Sequence, residues 1–319
     1  MKFYTACALK GNKILVRGYK NGDRFTDSIS FKPSLYIKSD KESKYRSLSG
    51  VSVKRRKFDS LYDCRQFLDQ YRDLPDTPIY GNTDFITQYL METYASEVEY
   101  DLSKVKVAYL DLECESEGGF PDLERPNERI NLVSIRTGGV TYVISFTQIT
   151  LPDAKVIMVS NEKELIKKVF EVLAKEDVDI LSGWNIKLFD MPYIIGRAKL
   201  FFEEKEIEGW MPFGLMKMRT SNIGGRDFNI YEFPGYTILD YMDLYKKFSG
   251  TSQESYALNH IAKVELDAQK LDYSEYGSLR EFYRQNFQKF AEYNVQDSLL
   301  VEQLDNKLKL IDLAISIAY

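Results

Sequence analysis

The sequence predicts an α/β protein in two parts. Residues 1–103 read as a smaller β-rich α+β module, and residues 104–319 as a mixed sheet flanked by helices. Three observations carry that prediction. Asn21-Gly22 stands between two runs of alternating hydrophobicity, Lys13–Tyr19 and Arg24–Phe31, which is the signature of a hairpin. From Lys104 onward, short apolar runs alternate with segments of helical period. Acidic residues end some of those runs, which places a site at the edge of the sheet.

The elements follow in order. Lys54-Arg55-Arg56-Lys57 reads as a solvated loop. A helix is expected over Ser60–Arg72, where Leu61, Cys64, Phe67 and Leu68 recur at helical spacing. Val105–Glu113 alternates as a strand, and Asn131–Arg136 with Val140–Phe146, joined by Gly138-Gly139, form a hairpin beside it. Asn161, followed by Glu164, caps a helix whose Leu165, Ile166, Val169, Phe170 and Leu173 share one face. Asp179–Trp184 is short and apolar, so it reads as a strand buried on both faces. A helix begins near Phe189 and tolerates Pro192 in its first turn. Residues 204–235 hold Gly214, Gly224, Gly225 and Gly235 with Lys217, Arg219 and Arg226, so they form either a functional loop or a hairpin. From Ser278 the chain reads as helical to its end.

Composition narrows the class. With 319 residues and 44% hydrophobic content, the chain is long enough for two domains. A net charge of −5 neither announces nor excludes a nucleic-acid partner, because a carboxylate site meets phosphate through bridging cations. Cys7, Cys64 and Cys114 are odd in number and lack metal-ligand spacing, which suits a reducing cytoplasm. No apolar run approaches the roughly 20 residues that cross a bilayer, so no membrane partner is expected. Charge interrupts the first ten residues too early for a signal peptide.

The chemistry is carried by acids in three segments: Asp111-Leu112-Glu113, the stretch from Asn185 through Phe189-Asp190 to Pro192-Tyr193, and Tyr293 with Asp297. Carboxylates are natural ligands for Mg²⁺ or Mn²⁺, hard cations that prefer oxygen donors. Asp111 and Glu113 are two apart on a strand and point to one face. Alone such a pair is weak evidence; its place at the end of an apolar strand lifts it. Asp190 opens a helix, where N–H groups and the dipole favour an anion. Tyr293 and Asp297 are four apart on a helix and share a face, so the phenol can orient a water beside the acid. Together they point to a nuclease that cuts phosphodiesters.

These segments resemble, in order and separation, the three exonuclease motifs of the proofreading domain of family B DNA polymerases, the replicative polymerases of T-even-like tailed phages among them. Asn185-x-x-x-Phe189-Asp190-x-Pro192-Tyr193 is the most specific piece. Ile79–Phe85 resembles the end of the family's N-terminal domain, and Leu239–Phe248 the stretch between its second and third motifs, so the likeness spans essentially the whole chain. The resemblance implies an RNase H-like, DEDD-type fold and two divalent cations, Mg²⁺ with Mn²⁺ able to substitute. It implies Asp111, Glu113, Asp190 and Asp297 as metal ligands and catalytic acids, with Asp111 bridging and Asp190 on the leaving-group side. Tyr293 would orient the attacking water and mark the tyrosine subclass. The histidine subclass needs an imidazole where Glu292 stands, so the single histidine, His260, is read as structural. Asn185, Phe189 and Phe120 would contact DNA, Phe120 by stacking on the bases. Lys270 would match an active-site lysine, with a spacing to Asp297 that departs from the family's.

The implied activity is 3′→5′ removal of nucleotides from a single-stranded or frayed 3′ end during DNA replication, in the cytoplasm (the host's, if the protein is phage-encoded). Competing readings are an RNA-trimming exonuclease of the same subclass and a non-catalytic nucleic-acid-binding module. The family's polymerase motifs do not occur in the sequence. Asp59–Tyr62 lacks their spacing and proline, and Tyr80-Gly81-Asn82-Thr83-Asp84 has Asn where an aspartate is needed. Nucleotide addition is therefore not expected of this chain alone. A polymerase portion is expected as partner, in the same longer protein or as a separate subunit. The apolar tail from Leu310 is expected to pack on that portion or continue into it. The N-terminal module could contact template, RNA or the polymerase core.

Overall fold

Asn21 and Gly22 take φ of 53° and 91°, the two left-handed positions that a tight hairpin turn requires. In the computed structural model, β1 (Lys2–Lys10) pairs antiparallel with β2 (Lys13–Lys20), and that turn joins β2 to β3 (Asp23–Ile29). The structure describes residues 2–71, 74, 78–94, 98–117, 121–268, 271 and 274–318. By contacts the chain divides into two units, residues 1–100 and 101–319.

In the first unit, β4 (Ser34–Lys38), β5 (Tyr45–Arg46), β6 (Ser52–Lys57) and β7 (Ile79–Tyr80) form a second antiparallel sheet in the order β5-β6-β4-β7. Helices α1 (Leu61–Tyr71) and α2 (Phe85–Thr93) complete its core, where Leu61, Cys64, Phe67 and Leu68 of α1 meet Ile14, Val16 and Leu35. The basic run is a correction: residues 54–57 lie within β6, not in a loop. Pairing with β4 fixes them as a strand, which four consecutive charges conceal from any reading of hydrophobic alternation. Arg55 donates to Glu92 at 2.9 Å, and Arg56 lies 4.3 Å from the centroid of the Phe67 ring.

The second unit is built on a six-stranded mixed sheet. Its strands are β8 (Val107–Cys114), β9 (Ile130–Thr137), β10 (Val140–Ser145), β11 (Ala154–Met158), β12 (Ile180–Gly183) and, after a separate hairpin of β13 (Lys217–Ile223) and β14 (Arg226–Glu232), β15 (Thr237–Asp240). The order is β11-β10-β9-β8-β12-β15. β8, β9 and β10 run antiparallel, whereas β11 joins β10, and β12 joins both β8 and β15, in parallel. Helices α3 (Glu162–Lys175), α4 (Asp190–Ala198), α5 (Glu204–Gly209), α6 (Tyr241–Phe248), α7 (Leu258–Leu266), α8 (Leu279–Gln285), α9 (Phe287–Leu308) and α10 (Leu310–Ala318) surround it.

The alternation of β8 decides which layer each side chain enters. Ala108, Leu110 and Leu112 pack with Leu165, Val169 and Leu173 of α3 and Ile194 of α4. Tyr109, between them, faces the other way and packs with Tyr241 of α6 and Leu300, Val301 and Leu304 of α9. Each such buried leucine contributes about 1.5–3 kcal/mol. Asn161 caps α3 as expected, accepting from Glu164 N at 3.0 Å, and Glu164 returns the contact to Ser160 N at 2.8 Å.

Residues 204–235 resolve into α5 and the β13–β14 hairpin, turned by Gly224 and Gly225 at φ of 61° and 85°. Lys309 takes a left-handed φ of 55° and separates α9 from α10. The apolar tail forms α10. Leu310 and Ile311 pack within this unit against the α6 and α9 residues, whereas Leu313 and Ile317 are exposed. Among the described residues, no helix is long and apolar enough to cross a membrane.

Candidate metal-dependent nuclease site

Asp111 and Glu113 have the parity of Tyr109 on β8 and so face α9, not α3 and α4. They sit at the end of a central strand, because β9 flanks β8 on one side and β12 on the other. The strand end is the expected position, and the strand itself is central in the sheet. β12 pairs with β8 only as far as Tyr109, so beyond it one side of β8 is open to other partners.

Helix α9 meets this strand end along one stripe: Phe290, Tyr293, Asn294, Asp297, Ser298, Val301, Leu304 and Asp305 are all buried. The spacing is that of one helix face, but its centre is polar. There the ligand oxygens of Asp111, Glu113 and Asp297 lie within 4.8 Å of one another. Like charges so close repel strongly in a partly buried setting. Three hard oxygen donors at that spacing fit Mg²⁺ or Mn²⁺, which the repulsion favours binding. Tyr293 precedes Asp297 by one turn, with Phe282 of α8 edge-on at 6.1 Å between ring centroids.

Asp190 enters from the opposite side, as the first residue of α4. Its carboxylate accepts from Leu112 N at 3.2 Å, taking up β8 where β12 has ended. It is 3% exposed, and burial pushes its pKa up to about 7, with Asp240 and Asp297 adding repulsion. The helix N-terminus that suggested a stable anion is therefore outweighed by desolvation. Asp190 touches the strand between Asp111 and Glu113 but does not belong to their close trio.

The turn leading into α4 is held by Asp240, which the sequence did not single out. Asn185 sits at φ of 70°, a left-handed position that Asn tolerates. Its N–H and that of Lys187 donate to Asp240, at 3.3 and 3.0 Å. The same carboxylate caps α6 through Met242 N and Asp243 N. Asp240 is 4% exposed, and burial raises its pKa.

Farther along α4, Arg197 pairs with Glu162 of α3 in the interior and donates to Pro126 O at 2.7 Å. Tyr193 donates to Glu128 O at 2.7 Å. These contacts hold the β8–β9 connection against α4. Beside it, Asn185, Leu188, Phe189 and Pro192 line a cleft of about 820 Å³, with Leu123 and Tyr231 among its other walls. Phe189 stacks on Tyr193 at 5.7 Å.

Among the residues read from sequence, Asp111, Glu113 and Asp297 come together, Asp190 and Tyr293 adjoin them, and Asn185 and Phe189 line the neighbouring cleft. Phe120 and Lys270 lie outside the described residues. His260 is half-buried on α7, a helix that packs on α9 but carries none of the acids. Besides Asp240, sequence reasoning missed Asn294, whose amide donates to Asp111 at 2.6 Å. Its partner lies 183 residues away, and the sequence shows only an asparagine inside an expected helix, one residue after Tyr293.

The chain is similar to known proteins over most of its length. The model of the DNA polymerase family B exonuclease domain matches residues 62–261, more than half of the chain. The DNA-directed DNA polymerases of Enterobacteria phage T4 and Escherichia phage RB69 are each 28% identical over the whole chain. The DNA polymerase delta catalytic subunit of Dictyostelium discoideum is 28% identical over 65% of the chain and 20% of its own length. The chain spans 38% of the length of the two phage relatives.

Proposed function

The chain belongs to the family B DNA polymerase exonuclease domain family, and on that premise we propose that it is a two-cation 3′→5′ exonuclease acting on single-stranded or frayed 3′ ends of DNA. In this reading it is the proofreading part of a DNA-directed DNA polymerase. The polymerase portion belongs to the same longer protein or to a separate subunit. The observation that carries the reading is the convergence of Asp111, Glu113 and Asp297 within 4.8 Å.

Asp111, Glu113 and Asp297 would hold the cations, with Asp190 completing the set from α4. Bound there, Mg²⁺ or Mn²⁺ would acidify the attacking water and neutralise the departing 3′-oxygen. Tyr293 orients that water through its phenol, from the turn of α9 that precedes Asp297. Asn185 and Phe189 bind the terminal nucleotides along the cleft, and Phe120 stacks on their bases. Lys270 would supply the active-site lysine that the motif resemblance implies. Stacking tolerates any sequence but requires an unpaired base, which gives preference to frayed ends.

The test is degradation of a 3′-labelled single strand with and without Mg²⁺. Asp111→Ala combined with Glu113→Ala should abolish hydrolysis while the circular dichroism spectrum is unchanged. Full activity in the folded double variant would sink the assignment. Equal rates on blunt matched duplex and on single strands would refute the proofreading preference.

A further inference from the structure

Asn294 has features that packing does not explain. Asn is a poor residue for a helix interior, and a buried amide costs free energy unless its hydrogen bonds are made. Asn294 is fully buried in the middle of α9, yet its Oδ1 has no hydrogen-bond partner among the described residues. Its Nδ2 is committed instead to Asp111 Oδ2, at 2.6 Å.

The surroundings keep that donor in register. Ser134 is the cross-strand partner of Asp111 on β9. Its hydroxyl donates to Asn294 O at 3.2 Å and lies 3.1 Å from Ser298 Oγ. One turn of α9 is thereby fastened to the strand pair that presents Asp111. The donor's neutrality matters chemically. Lys or Arg in its place would orient the carboxylate equally well but cancel the negative charge that attracts a cation.

Resting on the exonuclease reading, we propose that Asn294 is a positioning residue. It holds one oxygen of Asp111 so that this carboxylate, Glu113 and Asp297 are preorganised for a divalent cation. Loss of such an outer partner typically weakens metal binding about 10–100-fold.

The test uses Asn294→Ala and Asn294→Ser, with Mn²⁺ binding followed from the electron paramagnetic resonance signal of the free ion. The serine variant keeps a small polar group and serves if the alanine variant does not fold. Asn161→Ala, at the cap of α3, supplies a variant that is destabilised elsewhere. Expected is a Mn²⁺ affinity about tenfold or more weaker in the Asn294 variants. Hydrolysis should be largely restored at high Mn²⁺, and Asn161→Ala should bind Mn²⁺ normally despite a lower Tm. Affinity within about twofold of wild type in a folded Asn294 variant would overturn the proposal, leaving only a structural role. If the unaltered protein neither binds Mn²⁺ nor cleaves DNA, the exonuclease reading itself has failed.

Discussion

The two sides of the acid site are held by opposite chemistry. On the α9 side the fasteners at the acids are neutral: the Asn294 amide reaches Asp111 and serine hydroxyls fix the helix behind it. The Arg136–Glu302 ion pair ties α9 to β9 a turn farther along. On the α4 side the fastening is ionic: the Asp240 carboxylate collects backbone N–H groups, and Arg197 pairs with Glu162. The difference follows the electrostatics. On the proposed reading Asp111 gathers cations, and a charged fastener on it would compete with them; behind α4, charge can be satisfied locally and adds rigidity.

Substitutions that strip the ionic side should show the largest stability losses. Glu162→Ala leaves Arg197 buried without its partner and should cost about 3–5 kcal/mol in urea unfolding, taking hydrolysis with it at 37 °C. A loss under about 1 kcal/mol would mean that the ion pair does not hold α4. Asp240→Ala orphans the N–H groups of the Asn185 turn and uncaps α6, for about 2–3 kcal/mol. Its single-strand hydrolysis should fall even at temperatures where the variant is folded. Unchanged hydrolysis would separate Asp240 from the site.

Gly183→Ala probes the boundary between the two sides. A Cβ there would lie 2.5 Å from Leu110 O, beside Asp111. Moving that backbone should cost about 1–3 kcal/mol and disturb Mn²⁺ binding. Normal Mn²⁺ affinity would show that the strand end absorbs the shift.

The effect that bound cations would suppress most is one of pH. Asp190 has its pKa raised from 3.8 in the unfolded reference to about 7 in the fold. In chelator, the unfolded chain ionises first, so wild-type stability should decline as pH rises from 4 to 7. Asp190→Asn should remove that decline, matching wild type near pH 4 and exceeding it at pH 8. Parallel stability curves for the two proteins would contradict the buried, protonated state of Asp190.

Legibility in the sequence followed local signal strength. Asn21-Gly22, the Asn161 cap and the α3 stripe each combine a special residue with a period, and each element formed where expected. β11 was overlooked because Ala154–Met158 is a short parallel strand at the sheet's end, without alternation or a turn signal of its own. α5 was hidden by the glycines and charges around it. The trio of acids was legible because each sits at a characteristic spacing within its own segment. Asn294 and Asp240 were not, because their importance comes from partners 183 and 53–55 residues away. Strand order was equally inaccessible, and it is what places the strand of Asp111 in the middle of the sheet.

The separation of the trio in sequence has a consequence for how the protein matures. Asp111 and Asp297 belong to elements that meet only after the intervening strands and helices have found their places. Contacts of such long range are entropically late in folding. A partly made or partly folded chain therefore holds its acids apart and has no cutting centre. On the proposed reading, such a site stays silent until the architecture around it is complete.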